Sequence, residues 1–140
     1  MYEYLINQIQ TICNSIPAVK EVFSYPLEGS PSKYPAIVFY PDNTNNTISD
    51  TTSNFKNYNF KIFVLVALSG TNTKNIFNTI MPNVCDKIFQ KFDETWNGGT
   101  VDGYRVWKTL NTAQWGITVA EKSRTAFVEF NLEIKVSTSS

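Results

Sequence analysis

Histidine is absent from this chain of 140 residues, and the absence removes a large part of enzymology. Triads that rely on an imidazole base, and metal sites built on imidazole, have nothing to build from. Cysteine is nearly as scarce, with Cys13 and Cys85 alone. Two thiols without an imidazole leave too few ligands for a metal site. Both fall on apolar helical stripes, so they are read as reduced core thiols rather than a disulfide. Charge is sparse, at 17% of residues, and balanced, with 12 basic and 12 acidic side chains. That balance argues against a dedicated nucleic-acid binder, which carries a basic patch or stripe. The start, "MYEYLINQIQTIC", has no basic region and no unbroken apolar run, so neither a signal peptide nor a membrane span is expected.

Motifs that organise phosphate or nucleophile chemistry are missing as well. No GxxxxGK[ST] or GxGxxG occurs, and "NGGTVDG" from Asn97 to Gly103 lacks the strand-to-helix setting and the lysine of a phosphate cradle. It reads as a helix exit followed by a turn. No serine has the flanking glycines of a nucleophile elbow. Asp93 and Glu94 are adjacent, and neighbours on a helix point about 100° apart, which prevents easy proton sharing. Glu129 and Glu133 share a strand face, about 13 Å apart by the rise per residue and too far for a paired-carboxylate glycosidase site. With Lys135 beside them they form a solvated face. The expectation is no enzyme, no cofactor and no metal.

What the chain does have is apolar periodicity. Hydrophobic residues make up 42% and aromatics 14%, enough to fill one core without cross-links. Tyr2, Leu5, Ile6, Ile9, Ile12, Cys13 and Ile16 recur at three and four, giving a helix that Pro17 stops. "AVKEVFSYP" reads as a short strand and "LEGSPSK" as a loop. "YPAIVFY" is a strand bracketed by Pro35 and Pro41, places that suit a residue unable to donate to a ladder. In the next strand Tyr58, Phe60, Ile62, Val64, Val66 and Leu68 share one face. The opposite face begins polar (Asn57, Asn59, Lys61) and turns apolar (Phe63, Leu65, Ala67), predicting one wet face first and cover on both faces later.

After Gly70, "TNTK" supplies cap residues for a second helix with the stripe Ile76, Phe77, Ile80, Met81, Val84, Cys85, Ile88, Phe89 and Phe92. Pro82 lies inside it. An interior proline costs about 3 kcal/mol, so the helix either kinks there or restarts with Pro82 in its first turn; the unbroken phase favours the kink. "TVDGYRVWKTL" and "TAQWGITV" read as two strands, the second alternating Ala113, Trp115, Ile117 and Val119 against Gln114, Gly116 and Thr118. The last strand sets Ala126, Val128, Phe130, Leu132, Ile134 and Val136 against Glu129, Asn131, Glu133 and Lys135. Trp96, Trp107 and Trp115 fit core or subunit contact equally well. The sum is an α+β single domain over 1–140: a mostly antiparallel sheet, two helices packed on one face, and a loose tail at 137–140.

One segment does not fit a compact domain. Asp42 to Ser53 is almost all Asn, Asp, Ser and Thr, whereas a turn joining two strands needs about two to five residues. It forms a long polar β-hairpin insert, about 42–54, with Ile48 as its one large apolar residue. Burying Ile48 yields about 1.5–3 kcal/mol, against roughly 1–2 kcal/mol per residue to order the rest. The insert is therefore either a surface loop or an arm that orders against a neighbouring subunit. On either reading a short Asn-Gly turn in place of Asn43 to Thr52 should leave the fold intact.

From Tyr34 to Val66, "YPAIVFYPDNTNNTISDTTSNFKNYNFKIFVLV" resembles a segment of the tail-terminator (tail-completion) proteins of long-tailed bacteriophages. In those proteins a "YPA" strand runs into a polar insert ending near T-x-S-N, followed by an aromatic-rich strand. Here the matching residues are Thr51, Ser53 and Asn54, then Tyr58, Phe60, Ile62 and Val64. The element order also agrees, ending in "RTAFVEFNLEIKV". The resemblance implies a structural virion protein of the tail and neck, assembled in the host bacterial cytoplasm. It implies a homo-oligomeric ring, usually a hexamer, that stops tube polymerisation at the head-proximal end. Its partners would be itself, the tail tube protein and a head-completion or neck protein, with DNA passing through unread and no membrane involved. The subunit and tube interface would include Asn43, Asn45, Asn46, Thr47, Ile48, Thr51, Ser53 and Asn54. The Asn- and Thr-rich composition departs from the family, so no charged lumen residue is carried over. The rival readings are another neck or head–tail completion subunit and, from a different class, a small-ligand or regulatory binding module.

Overall fold

The computed structural model describes residues 1–48, 54–94, 100–101, 104–120 and 123–137. The chain begins with helix α1 (Tyr2–Asn14), which buries Leu5, Ile9, Ile12 and Cys13. Their three-and-four spacing turns one stripe onto the sheet. Strand β1 (Glu21–Phe23) is shorter than its sequence suggests and pairs in parallel with the start of β2 (Ala36–Ile48). Then come β3 (Asn54–Leu68), the helical region, a two-residue β4 (Thr100–Val101), β5 (Tyr104–Ala120) and β6 (Ser123–Ser137). The six strands stand in the order β1-β2-β3-β6-β5-β4, every neighbour antiparallel except β1 with β2. An α+β domain with one sheet and a helical layer on one face is what the periodicities predict.

The core lies between that layer and alternate strand residues. Tyr58, Phe60, Ile62, Val64 and Val66 of β3 and Ala126 through Val136 of β6, two apart, are buried together with the α1 stripe and with Ile76, Met81, Val84, Cys85, Ile88 and Phe92. Phe89 meets Phe130 edge to face at 5.5 Å. The sheet's other face is only partly covered. Val38 is buried there, while Phe63 and Leu65 are half-buried and Ala67 is exposed, so the predicted double cover of β3 is incomplete.

Four features differ from the sequence reading, each for a local reason. The second helix is built of α2 (Thr73–Asn75), a π-helical turn (Ile76–Ile80) and α3 (Met81–Asp93). The π turn hands over at Met81, so Pro82 falls in the first turn of α3, where a missing N–H is no loss. The helix restarts there, and the buried side passes from Ile76 to Met81, five residues on, before the three-and-four spacing resumes at Val84, Cys85 and Ile88. Secondly, the two predicted strands between 100 and 120 are one strand, β5, with a bulge between Thr112 and Gln114. The bulge shifts the alternation by one, which is why the sequence looked like two strands. Thirdly, Ser137, the first residue of the predicted tail, is the last residue of β6 and pairs with Phe55; residues 138–140 lie outside the described residues.

The fourth concerns the polar insert. β2 does not stop at Tyr40 but continues to Ile48, and Asn43–Ile48 pairs rung by rung with Asn59–Asn54. The segment is a hairpin arm held by backbone ladder bonds, which the side-chain estimate left out. Asp42 forms a bulge, so Ile37 and Phe39 before it and Thr44 after it pair with the helix-facing residues Val64, Ile62 and Tyr58. The register also argues against the short replacement turn. Asn43 lies opposite Asn59 and Ile48 opposite Asn54, so a turn leaving β2 at Asp42 would have to cover roughly 17–20 Å to enter β3 at Asn54, at about 3.3 Å per residue.

Candidate functional site

Three surfaces remain once the core is assigned. The first is the arm. Asn43 is exposed, and its side-chain oxygen accepts a hydrogen bond from Asn59 Nδ2 across the ladder. Asn45, Asn46, Thr47, Ile48 and Asn54 occupy ladder positions opposite Asn57, Lys56, Phe55 and one another. Thr51 and Ser53 lie outside the described residues. The arm is pinned to the body from the other side of β3, where Tyr58 meets Tyr2 edge to face at 4.9 Å. Beyond Val38 the outer side of β2 has no strand partner among the described residues.

The second surface is the polar face of the sheet. Asp42, Asn59, Lys61, Thr109, Asn111, Glu129, Asn131 and Glu133 line an open concavity of about 430 Å³. Among the described residues, Asp42, Glu129 and Glu133 stand there with one cation, Lys61. Ligand pockets bury most of their guest against apolar walls with few convergent polar groups, and this surface has the opposite composition. At its upper end Phe55 stacks near Trp107, ring centres 6.1 Å apart, and Lys135 Nζ sits 4.6 Å over the Phe55 ring.

The third surface went unnoticed in the sequence. β5 is paired with β6 along its length and with β4 only at Tyr104 and Arg105. From Val106 to Ala120 its other side has no strand partner among the described residues. Trp115, Ile117 and Val119 pair with Val128, Ala126 and Arg124, which places them on the helix side of the sheet. Val128 and Ala126 are fully buried, yet Trp115, Ile117 and Val119 are 41%, 38% and 70% exposed. The helical layer therefore stops over β6. Further up β5 the cover resumes: Val106 is buried, and Lys108 lies beneath the end of α3 with its ammonium 3.0 Å from Asp93. The alternation in "TAQWGITV" was legible; that its apolar side would be left bare was not. Trp107 is also partly exposed, and Trp96 lies outside the described residues.

The cysteines contribute no chemistry to any of these surfaces. Both are free and buried, and desolvation pushes each thiol up to about 12, with Asp86 adding to the shift at Cys85. They stay protonated, and thus poor nucleophiles, at neutral pH. Among the described residues no group of three or more acidic or thiol side chains is placed to hold a metal. No described helix is long and apolar enough to cross a membrane.

No protein-family model matches the chain, and no curated protein matches it either. Among solved structures, the chain is similar to one from the virion of a native gene transfer agent particle, at 13% identity and a TM-score of 0.50. The match covers 94% of this chain and 91% of that one. A second structure, 11% identical over 89% of this chain and 85% of the other, has a TM-score of 0.42. At 13% identity the first likeness shows a shared fold and no more.

Proposed function

We propose that this chain is a structural virion protein, the tail terminator of a long-tailed bacteriophage, acting as a ring subunit rather than an enzyme. The observation that supports it most is the end-to-end fold likeness to a chain of a gene transfer agent virion, covering 94% of this chain. The Tyr34 to Val66 resemblance, read from side-chain pattern rather than backbone shape, points the same way. In this reading the subunits form a ring, six by the resemblance, on the head-proximal end of the tail tube, stop its polymerisation and offer a surface to the neck. The arm carrying Asn43, Asn45, Asn46, Thr47, Ile48 and Asn54, with Thr51 and Ser53 beyond it, forms part of the contact between subunits or with the tube. An arm ordered by its own ladder is a preformed contact, and it spends no ordering entropy at assembly. DNA passes the ring without sequence readout, in keeping with a chain of zero net charge.

Imaging of the particle neck with this chain traced is the test. A closed ring at the tube end is expected, together with tails of uncontrolled length when the chain is missing. One or two copies per neck would refute the reading.

A further inference from the structure

The two lateral edges of the sheet differ in a way that suggests how copies join. Native proteins guard an open edge with charges, proline, short strands or bulges. β2 has Pro41 and the Asp42 bulge on its open side. β5 has neither charge nor proline from Thr109 to Ala120, and below the bulge at Thr112 it runs regularly through Gln114–Ala120. This stretch also carries the bare apolar strip of Trp115, Ile117 and Val119. An unguarded backbone edge beside an exposed apolar strip marks a strand-pairing surface.

We propose that the outer edge of β5 receives the opposite edge of a second copy, formed by β1 at its foot and the β2 arm above. This inference rests on the ring reading and names the contact that builds the ring. Direction supports it. β2, β3, β6 and β5 alternate, so β5 runs opposite to β2, and β1 runs parallel to β2. A copy set beside β5 by rotation about one axis thus offers strands antiparallel to it, with both helical layers on the same side. Level supports it too. Following the registers across the sheet, Val22 lies level with Ile37, Val64, Val128 and Trp115. A laterally placed neighbour therefore brings Val22, which shares the helix side with Ile37, to the bare strip, while Phe23, level with Val38, lies on the other face of the same edge. The carboxylate of Glu21, the one charge on β1, already accepts a hydrogen bond from the Ser32 hydroxyl. The steps match as well, because β1 protrudes where β5 is open and β4 protrudes where β2 is open. Such a contact joins unlike edges, and repeated by a closing rotation it makes a ring.

The test replaces Trp115 with the photo-reactive aromatic benzoylphenylalanine in the full chain, illuminates assembled particles and maps the adduct by mass spectrometry. Adducts from one copy into residues 20–25 or 36–48 of another are expected. In parallel, Ile117→Lys, a charge on the unguarded edge, should empty the particle of this chain while the purified variant melts within about 3 °C of the unchanged one. Adducts to β5 of the second copy or to a different protein, the absence of any copy-to-copy adduct, or normal incorporation of Ile117→Lys would overturn the proposal. A neck ring without the adduct removes the edge contact alone. The adduct from a chain that lies elsewhere in the particle removes the terminator reading alone.

Discussion

Truncating Tyr58 to alanine tests whether the arm is held from within the chain. The Tyr58 side chain sits where the arm joins the body, 7% exposed, edge to face with Tyr2 at 4.9 Å and level with Thr44 on one side and Ile134 on the other. Removing a buried aromatic ring costs about 3–5 kcal/mol, and a T-shaped pair supplies roughly 0.5–1.5 kcal/mol beyond the area term. Tyr58 lies at the rim of the core rather than its centre, which places the expected loss near 3 kcal/mol. For a chain of this size that is a fall of about 10 °C in melting midpoint. Urea unfolding gives the free energy, and amide exchange followed by mass spectrometry gives its location. Exchange in Asn54–Asn59 and Asn43–Ile48 should accelerate more than in the β6 core, because the ladder there loses the Tyr58–Tyr2 contact on the helix side. A loss below 1 kcal/mol, or unchanged protection in the arm, would refute the argument that intrachain packing orders it.

Two further outcomes follow from buried groups. Cys13 and Cys85 should resist alkylation in the folded protein and label at once in denaturant, and stability should fall at alkaline pH. The sign follows from thiol pKa values raised in the fold to about 12: the unfolded chain loses its thiol protons first, so stability is complete below about pH 9 and declines above it by about 1.4 kcal/mol per pH unit for Cys13. Tyr58 and Tyr2, pushed up by burial, act in the same direction at higher pH, and Cys13→Ala should flatten the slope between pH 9 and 10. In β5, a Cβ at Gly116 would meet the Phe127 ring at 3.0 Å, so Gly116→Val should cost about 1–3 kcal/mol by thermal melting, and Gly116→Ala distinctly less.

The core was legible in the sequence because burial there follows period. Alternate residues of β3 and β6, and three-and-four residues of α1 and α3, face the same interior. Three things were not. The π turn ahead of Pro82 moves the buried position on by one residue, from Ile76 to Met81, and because Ile80 and Met81 are both apolar the sequence fits either spacing. The polar insert was expected as a hairpin, but what orders it was not legible, because composition reports side chains whereas Asn43–Ile48 is held by backbone bonds to β3, itself clamped by β6. Finally, Trp115, Ile117 and Val119 alternate as well as any core strand. Their exposure was decided by the helical layer ending over β6, and the reach of that layer depends on where two helices distant in sequence come to rest. Periodicity fixes which side of a strand is apolar; only the tertiary arrangement decides whether anything covers it.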